Sequence, residues 1–358
     1  MPFTKDKTLS KLRTAVIGAG KMGSIHSRIY SQMDQVDLVA IVDGQLDKAT
    51  ALCEKYGSKP YSDSTEILDL VDAVTIAVPT NHHAVVAKPF LARGIAVLVE
   101  KPLASTLHDA KEMLSLANES GAVLQVGYSE RFNPVVQAMR RLNFTPRYME
   151  SQRVSPYTFR STDVGVVLDM MIHDIDIMLS MVRSDVVDVH AVGVHVLGEH
   201  EDVANVRIVF ASGCVANLTA SRMAMTTDRR IRVFSEKAYL SLDCLNKQGT
   251  MINTDANIDM MQWVREQQAK HGEVELQKMD WTELLKVEML DMDESEPLRL
   301  EQDDFVKSVI EKTRPQVSGE DAIAAMELAE RIVEAIHSHR WEGSSSKEMA
   351  KKSYSNTN

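Results

Sequence analysis

Cysteine is scarce, with only Cys53, Cys214 and Cys244 in 358 residues. Three thiols build no disulfide framework, and no Cys-x-x-Cys pair suggests zinc. They fit a reducing compartment. Basic charge is also in deficit: 40 Lys and Arg stand against 51 Asp and Glu, a formal charge of −11. Nucleic-acid and membrane-surface binders usually carry a basic face, so both classes are disfavoured. No apolar run is long and clean enough for a membrane span. The best candidate, 166–182, is broken by Asp169, His173, Asp174 and Asp176 and reads as a buried helix. Residues 1–13 have no apolar core of a secretion signal, so we expect a cytoplasmic protein. No internal repeat is present.

What is there resembles an ordinary soluble chain, 44% hydrophobic and 25% charged. Its length suits two domains at roughly 150 residues each. The first third alternates apolar runs (14–17, 38–42, 73–78, 96–99 and 123–126) with helical patterns (22–32, 46–56, 83–92 and 107–120). That alternation predicts a parallel sheet covered on both faces. The rhythm changes after about Gly127. One apolar helix over 166–182 is followed by strand-like segments at 187–196, 203–210, 215–221, 230–235 and 238–243, with a turn at Ala211-Ser212-Gly213. Several alternate polar and apolar residues, which predicts a half-buried, largely antiparallel sheet with the 166–182 helix as its cover. Closing helices are expected at 298–311 and 320–337. Segment 257–285 is charged and weakly helical, with no assigned role. We therefore expect an α/β protein with domains at 1–127 and 128–341 and a disordered tail at 342–358.

The first strand runs into Gly18-Ala19-Gly20-Lys21-Met22-Gly23, and a helix follows. A G-x-G-x-x-G match means little alone, but this one has a strand before it, a helix after it and Asp43 at the end of the second strand. Gly18 suits the tight turn, Gly20 lets a pyrophosphate approach the backbone, and Gly23 lets the helix pack on the strand. The N–H groups at Lys21 and Met22 open a helix whose positive end attracts phosphate. Asp43 would bond the adenosine ribose and repel a 2′-phosphate, which favours NAD over NADP. The alternative is a glycine-rich turn that binds nothing.

Lys101, in Glu100-Lys101-Pro102, follows a buried strand at the edge where α/β sheets bind ligands. It could hydrogen-bond a reacting hydroxyl, or simply pair with Glu100 in solvent. Asp169, His173 and Asp176 share one face of the apolar helix. Asp169 could orient His173 for acid–base work, or the two could form a satisfied buried pair. No second His stands at ligand spacing, so we expect no metal.

Together these motifs resemble the glucose–fructose oxidoreductase/inositol dehydrogenase (Gfo/Idh/MocA) family. The matching residues are the 18–23 loop, Val78-Pro79-Thr80 with His83, Glu100-Lys101-Pro102, Asp169-x-x-x-His173-Asp174 and a closing pattern over 297–322. The resemblance spans roughly 12–337. It implies an N-terminal Rossmann domain and a C-terminal α+β domain with an open, largely antiparallel sheet. It also implies that Lys101, Asp169 and His173 carry the chemistry and that Pro79, Thr80, His83 and Glu100 line the cofactor. Tyr128-Ser-Glu-Arg131-Phe-Asn133-Pro and Arg160-x-x-Asp163 resemble members that oxidise the 3-hydroxyl of UDP-N-acetylhexosamines. Tyr128, Arg131, Asn133 and Arg160 are then substrate residues, although either arginine could equally be structural.

The resulting expectation is an NAD-dependent dehydrogenase of a sugar or sugar nucleotide, homodimeric or homotetrameric through the open sheet. A free sugar or inositol dehydrogenase, an enzyme that recycles bound NAD, and a non-catalytic NAD-binding regulator remain open.

Overall fold

The computed structural model describes residues 11–142, 144–158, 164–253, 262–266, 268–270, 287–292 and 295–340. The 342–358 tail and most of 257–285 lie outside them.

The N-terminal part alternates β1 (Leu12–Ile17), α1 (Lys21–Tyr30), β2 (Val36–Val42), α2 (Leu46–Tyr56), β3 (Lys59–Tyr61), β4 (Ala73–Ile76), α3 (His83–Ala92), β5 (Ala96–Glu100), α4 (Leu107–Ser120) and β6 (Leu124–Gly127). The six strands form one parallel sheet in the order β3-β2-β1-β4-β5-β6. Their Val, Ile and Ala residues are buried on both faces because helices cover both sides. Asp43, the loop after β1 and Lys101 all lie past strand C-termini, so the sheet gathers them on one edge.

The chain continues through α5 (Pro134–Arg141) and β7 (Pro146–Val154) to a π-helical turn, Val167–Met171, that runs into α6 (Ile172–Val182). Then come β8 (Val186–Val194), β9 (Val203–Phe210), β10 (Val215–Ser221), β11 (Asp228–Ser235), β12 (Ala238–Asp243), β13 (Gln248–Asn253) and β14 (Val287–Met289). These eight strands form a second sheet in the order β14-β13-β12-β11-β7-β10-β9-β8. Every neighbouring pair is antiparallel except β7–β10, which is parallel. One face, with Met149, Val206, Ile208, Leu218, Val233 and Leu240, is buried in the core. The other carries Gln152, Asn205, Arg207 and Arg232.

The fold class is as expected, with α6 covering the second sheet as predicted. The final helix, α8 (Gly319–Ser338), opened by a Ser318–Asp321 capping box, shares that cover. By contrast α7 (Pro297–Glu311) returns to the first sheet, where Phe305 packs on Ala96 and Leu98 and Val306 joins the α1 cluster. One continuous apolar cluster joins both sheets through β6, α4, α6 and α8.

The 166–182 helix is not uniform. Its first turn is π-helical, with the Val166 N–H donating to the Glu201 carbonyl and the Val167 N–H to the Glu201 carboxylate. Such turns often sit at functional sites.

Candidate active site

The phosphate end of the cofactor site is built by exclusion. Gly18 has φ +104°, and a Cβ there would lie 2.5 Å from the Ala77 carbonyl oxygen. A Cβ at Gly23 would overlap the Gly18 carbonyl, so helix and loop meet only because both residues are glycine. At Gly20 a Cβ would meet nothing within 4 Å, leaving open space beside the backbone. Gly20 caps α1 without a side-chain bond, so the N–H groups of the first turn, including those of Lys21 and Met22, are free to meet an anion. Asp43 accepts from the Ala19 N–H and the Gln45 N–H, each at 2.8 Å, which locks its carboxylate against the loop. A glycine cradle, an unused helix N-terminus and a fixed carboxylate together fit a dinucleotide.

The other cofactor candidates reach the same edge in different ways. Pro79 and Thr80 open the short turn before α3. The buried His83 ring lies between the carbonyls of Pro102 (2.8 Å from Nδ1) and Val78 (3.0 Å from Nε2); burial lowers its pKa, and the neutral ring donates its single N–H to one of them. It therefore sits between the end of β4 and the Lys101-Pro102 turn. Glu100 meets His26 of α1 at 2.9 Å. Both side chains are thus occupied by protein partners.

Lys101 reaches across to the π-helical turn. Its Nζ donates to the Asp169 carbonyl at 2.8 Å and to the Asp169 carboxylate at 3.2 Å. No hydrogen bond joins Asp169 to His173, and His173 Nδ1 has no partner among the described residues. The expected orienting bond is therefore absent. The ammonium is the stronger partner for a carboxylate, and Asp169 turns to it. His173 is half-buried and edge-on to Tyr128, with ring centroids 6.1 Å apart. Burial, together with the positive charges of Lys101, Arg153 and Arg229, holds its pKa well below the ordinary value. The imidazole is therefore neutral at pH 7, and a neutral ring can accept a proton.

Asp169 and His173 open onto a cavity of about 370 Å³. Ser129, Glu130, Val154, Ser155, Pro156, Thr158, Met170 and the arginines 153, 222 and 229 complete its wall. Arg153 spends its donors on Asp174 and Glu130. Arg222 bonds Asp202 and the Val164 carbonyl and lies over the Tyr157 ring. Arg229 reaches Glu130 through Nη1 at 2.7 Å. Burial raises the Glu130 pKa, but Arg153 and Arg229 outweigh it and hold the carboxyl below its ordinary value.

Of the substrate residues expected from sequence, Tyr128, Arg131 and Asn133 are buried and line no part of this cavity. Arg131 is 3% exposed, its guanidinium is paired with Asp176, and it also donates to the Gln316 carbonyl. Asn133 caps α5 and bonds the Cys244 carbonyl. Tyr128 is fully buried, and its hydroxyl has no partner among the described residues. The structure thus gives Arg131 and Asn133 packing tasks, because both are buried and neither lines the cavity. Arg160 lies outside the described residues. Sequence reasoning passed over Glu130, Arg153, Arg222 and Arg229. Glu130 stood inside the 128–134 motif without being given a role, and the signal for Arg153 was a charged residue at an inward strand position; Arg222 and Arg229 carried none.

Comparison with known proteins agrees with this geometry. Residues 12–128 match the family described as "Oxidoreductase family, NAD-binding Rossmann fold". Residues 136–241 match the GFO/IDH/MocA C-terminal domain. The chain is 35% identical over 236 residues to a UDP-N-acetylglucosamine 3-dehydrogenase of Acidithiobacillus ferrooxidans, covering 66% of this chain and 75% of that one. It is 28% identical over 349 residues to a myo-inositol 2-dehydrogenase of Thermotoga maritima, covering 92% and 97%. The solved structure of the Acidithiobacillus enzyme superposes with a TM-score of 0.80 over 92% of this chain and 98% of that one, at 27% identity.

Proposed function

The chain belongs to the Gfo/Idh/MocA family of NAD-binding oxidoreductases, and from that premise we propose that it oxidises the 3-hydroxyl of a UDP-N-acetylhexosamine. The observation that carries the reaction is the joining of Lys101 to Asp169, which with a neutral His173 lines the cavity. His173 takes the proton of the sugar hydroxyl. Lys101 donates a hydrogen bond to the same oxygen and stabilises the charge that develops there. Asp169 holds the Lys101 ammonium in place. NAD, when bound, supplies the acceptor for the hydride leaving the sugar carbon. Arg160, outside the described residues, stays a candidate for the anionic part of the substrate.

The 35% identity to the Acidithiobacillus enzyme supports the sugar nucleotide. The near full-length match to the Thermotoga enzyme supports a second reading, a free cyclitol substrate. Residues 1–127 would hold NAD, and residues 128–341 would hold substrate and pair subunits through the outer sheet face. Three buried, unpaired cysteines suit the cytoplasm.

A panel of UDP-N-acetylglucosamine, its uronic acid and myo-inositol, followed by NADH absorbance, separates the two readings. Lys101→Met should reduce turnover by on the order of a hundredfold or more while NAD affinity stays near that of the parent. Tight NAD binding with no turnover on any substrate would point to a regulatory protein instead.

A further inference from the structure

The cavity beside His173 is walled by three guanidinium groups, and they differ in what they have left to give. Arg153 is 4% exposed and each of its three nitrogens is bonded, to Asp174 or Glu130. Arg222 is 5% exposed and is held by Asp202, the Val164 carbonyl and the Tyr157 ring. Arg229 is different. Its side chain is 40% exposed, it enters the cavity from the start of β11, and Nη1 alone is bonded. Nε and Nη2 have no partner among the described residues. A guanidinium offers five N–H donors in a planar fork, so one edge of Arg229 remains open to the cavity.

Glu130 fixes where that edge lies. Its Oε1 accepts from Arg229 at 2.7 Å and from Arg153 at 3.2 Å, so one carboxylate is shared by two cations. The Arg229 head is thereby anchored without being used up, and little side-chain entropy remains to be lost on binding a ligand. Arg131, which sequence assigns to an anionic group, is sealed in the core with Asp176 and has no such edge.

We propose that Arg229, anchored by Glu130, is the specificity residue that receives an anionic oxygen group of the substrate, a phosphate or carboxylate, in the cavity beside His173. The proposal rests on the dehydrogenase reading for calling the ligand a substrate, but its test does not need turnover. Wild-type protein, Arg229→Gln and the surface control Arg93→Gln are titrated calorimetrically with uridine diphosphate and, separately, with glucuronate. NAD is kept at saturation so that the phosphate loop is filled. The expected result is that at least one of the two anions binds, that Arg229→Gln weakens it about tenfold or more, and that Arg93→Gln binds as the parent does. Which anion binds identifies the source of the charge. Equal affinity in parent and Arg229→Gln, or no binding of either anion to the parent, overturns the proposal. Sugar-nucleotide turnover is measured alongside. Its absence, with anion binding lost in Arg229→Gln, sinks the reaction and leaves the anion site standing. Its presence, with binding unaffected, sinks the anion site alone.

Discussion

At the scale of single residues the site depends on keeping one imidazole uncharged. His173 carries no carboxylate partner, and burial plus three nearby cations favour its neutral form. In the reaction proposed above His173 takes the hydroxyl proton in that form, so activity should persist as the pH falls and fail only when the ring protonates. The ordinary value is 6.5 and the shift is downward, which puts the acid limb of kcat/KM below pH 6.5. Removing a cation reverses part of the shift, so Arg229→Gln should move that limb to higher pH, whatever it does to the height of the profile. A wild-type limb at pH 7 or above would contradict the assignment. Gly18, Gly20, Asp43, Lys101 and His173 were legible because each sits in a short motif whose chemistry is local. The arginines were not. Arg131 and its Asp176 partner are 45 residues apart, and Arg229 and Glu130 are 99 apart. No spacing rule reaches across such distances, and only folding reveals which guanidinium is spent and which is open.

At the scale of elements, periodicity found the strands and helices with a clear apolar side and missed those without one. β7 is central to the second sheet, yet its buried positions are Pro146, Met149, Ser151 and Arg153, which blurs any polar–apolar alternation. β3 and β14 are three-residue strands, too short to show a period. The terminal helices were found, but nothing local told α7 to pack on the first sheet. Its buried face is unusually polar. Glu301 and Gln302 are both fully buried, and neither oxygen of the Glu301 carboxyl has a partner among the described residues. Burial, with the nearby Glu100 and Asp304 carboxyls, raises the Glu301 pKa well above its ordinary value. In the unfolded chain the group ionises near pH 4.3. Between that pH and the higher folded value, the folded state holds a proton that the unfolded state has lost, so stability falls as the pH rises. Glu301→Gln keeps the shape of the neutral acid and removes this penalty. Denaturant unfolding should show the variant gaining on wild type as the pH is raised from about 4.5 to 8. A gap that shrinks or reverses with rising pH would mean that the carboxylate is ionised in the fold.

At the scale of the whole molecule, two sheets of different construction share one apolar cluster, with α7 and α8 bridging back from the C-terminal part. Among the described residues no helix is long and apolar enough to cross a membrane. The last strand of the first sheet, β6, ends at Gly127, and one apolar cluster continues from it into the second sheet. Separating the two parts would expose Phe305 and Val306 of α7 on one side and the α4 and β6 contacts of α8 on the other. That cost couples them, so unfolding should be cooperative despite a length of 358 residues. NAD extends the test. A ligand that binds only the folded state adds RT ln(1 + [L]/Kd), about 2.7 kcal/mol at a hundred times Kd. If both parts unfold together, calorimetry should give one thermal transition, and NAD should raise all of it by a few degrees. NADP should raise it less, because the Asp43 carboxylate opposes a 2′-phosphate. Two transitions, with NAD moving only the first, would mean that the shared core does not bind the parts into one unit.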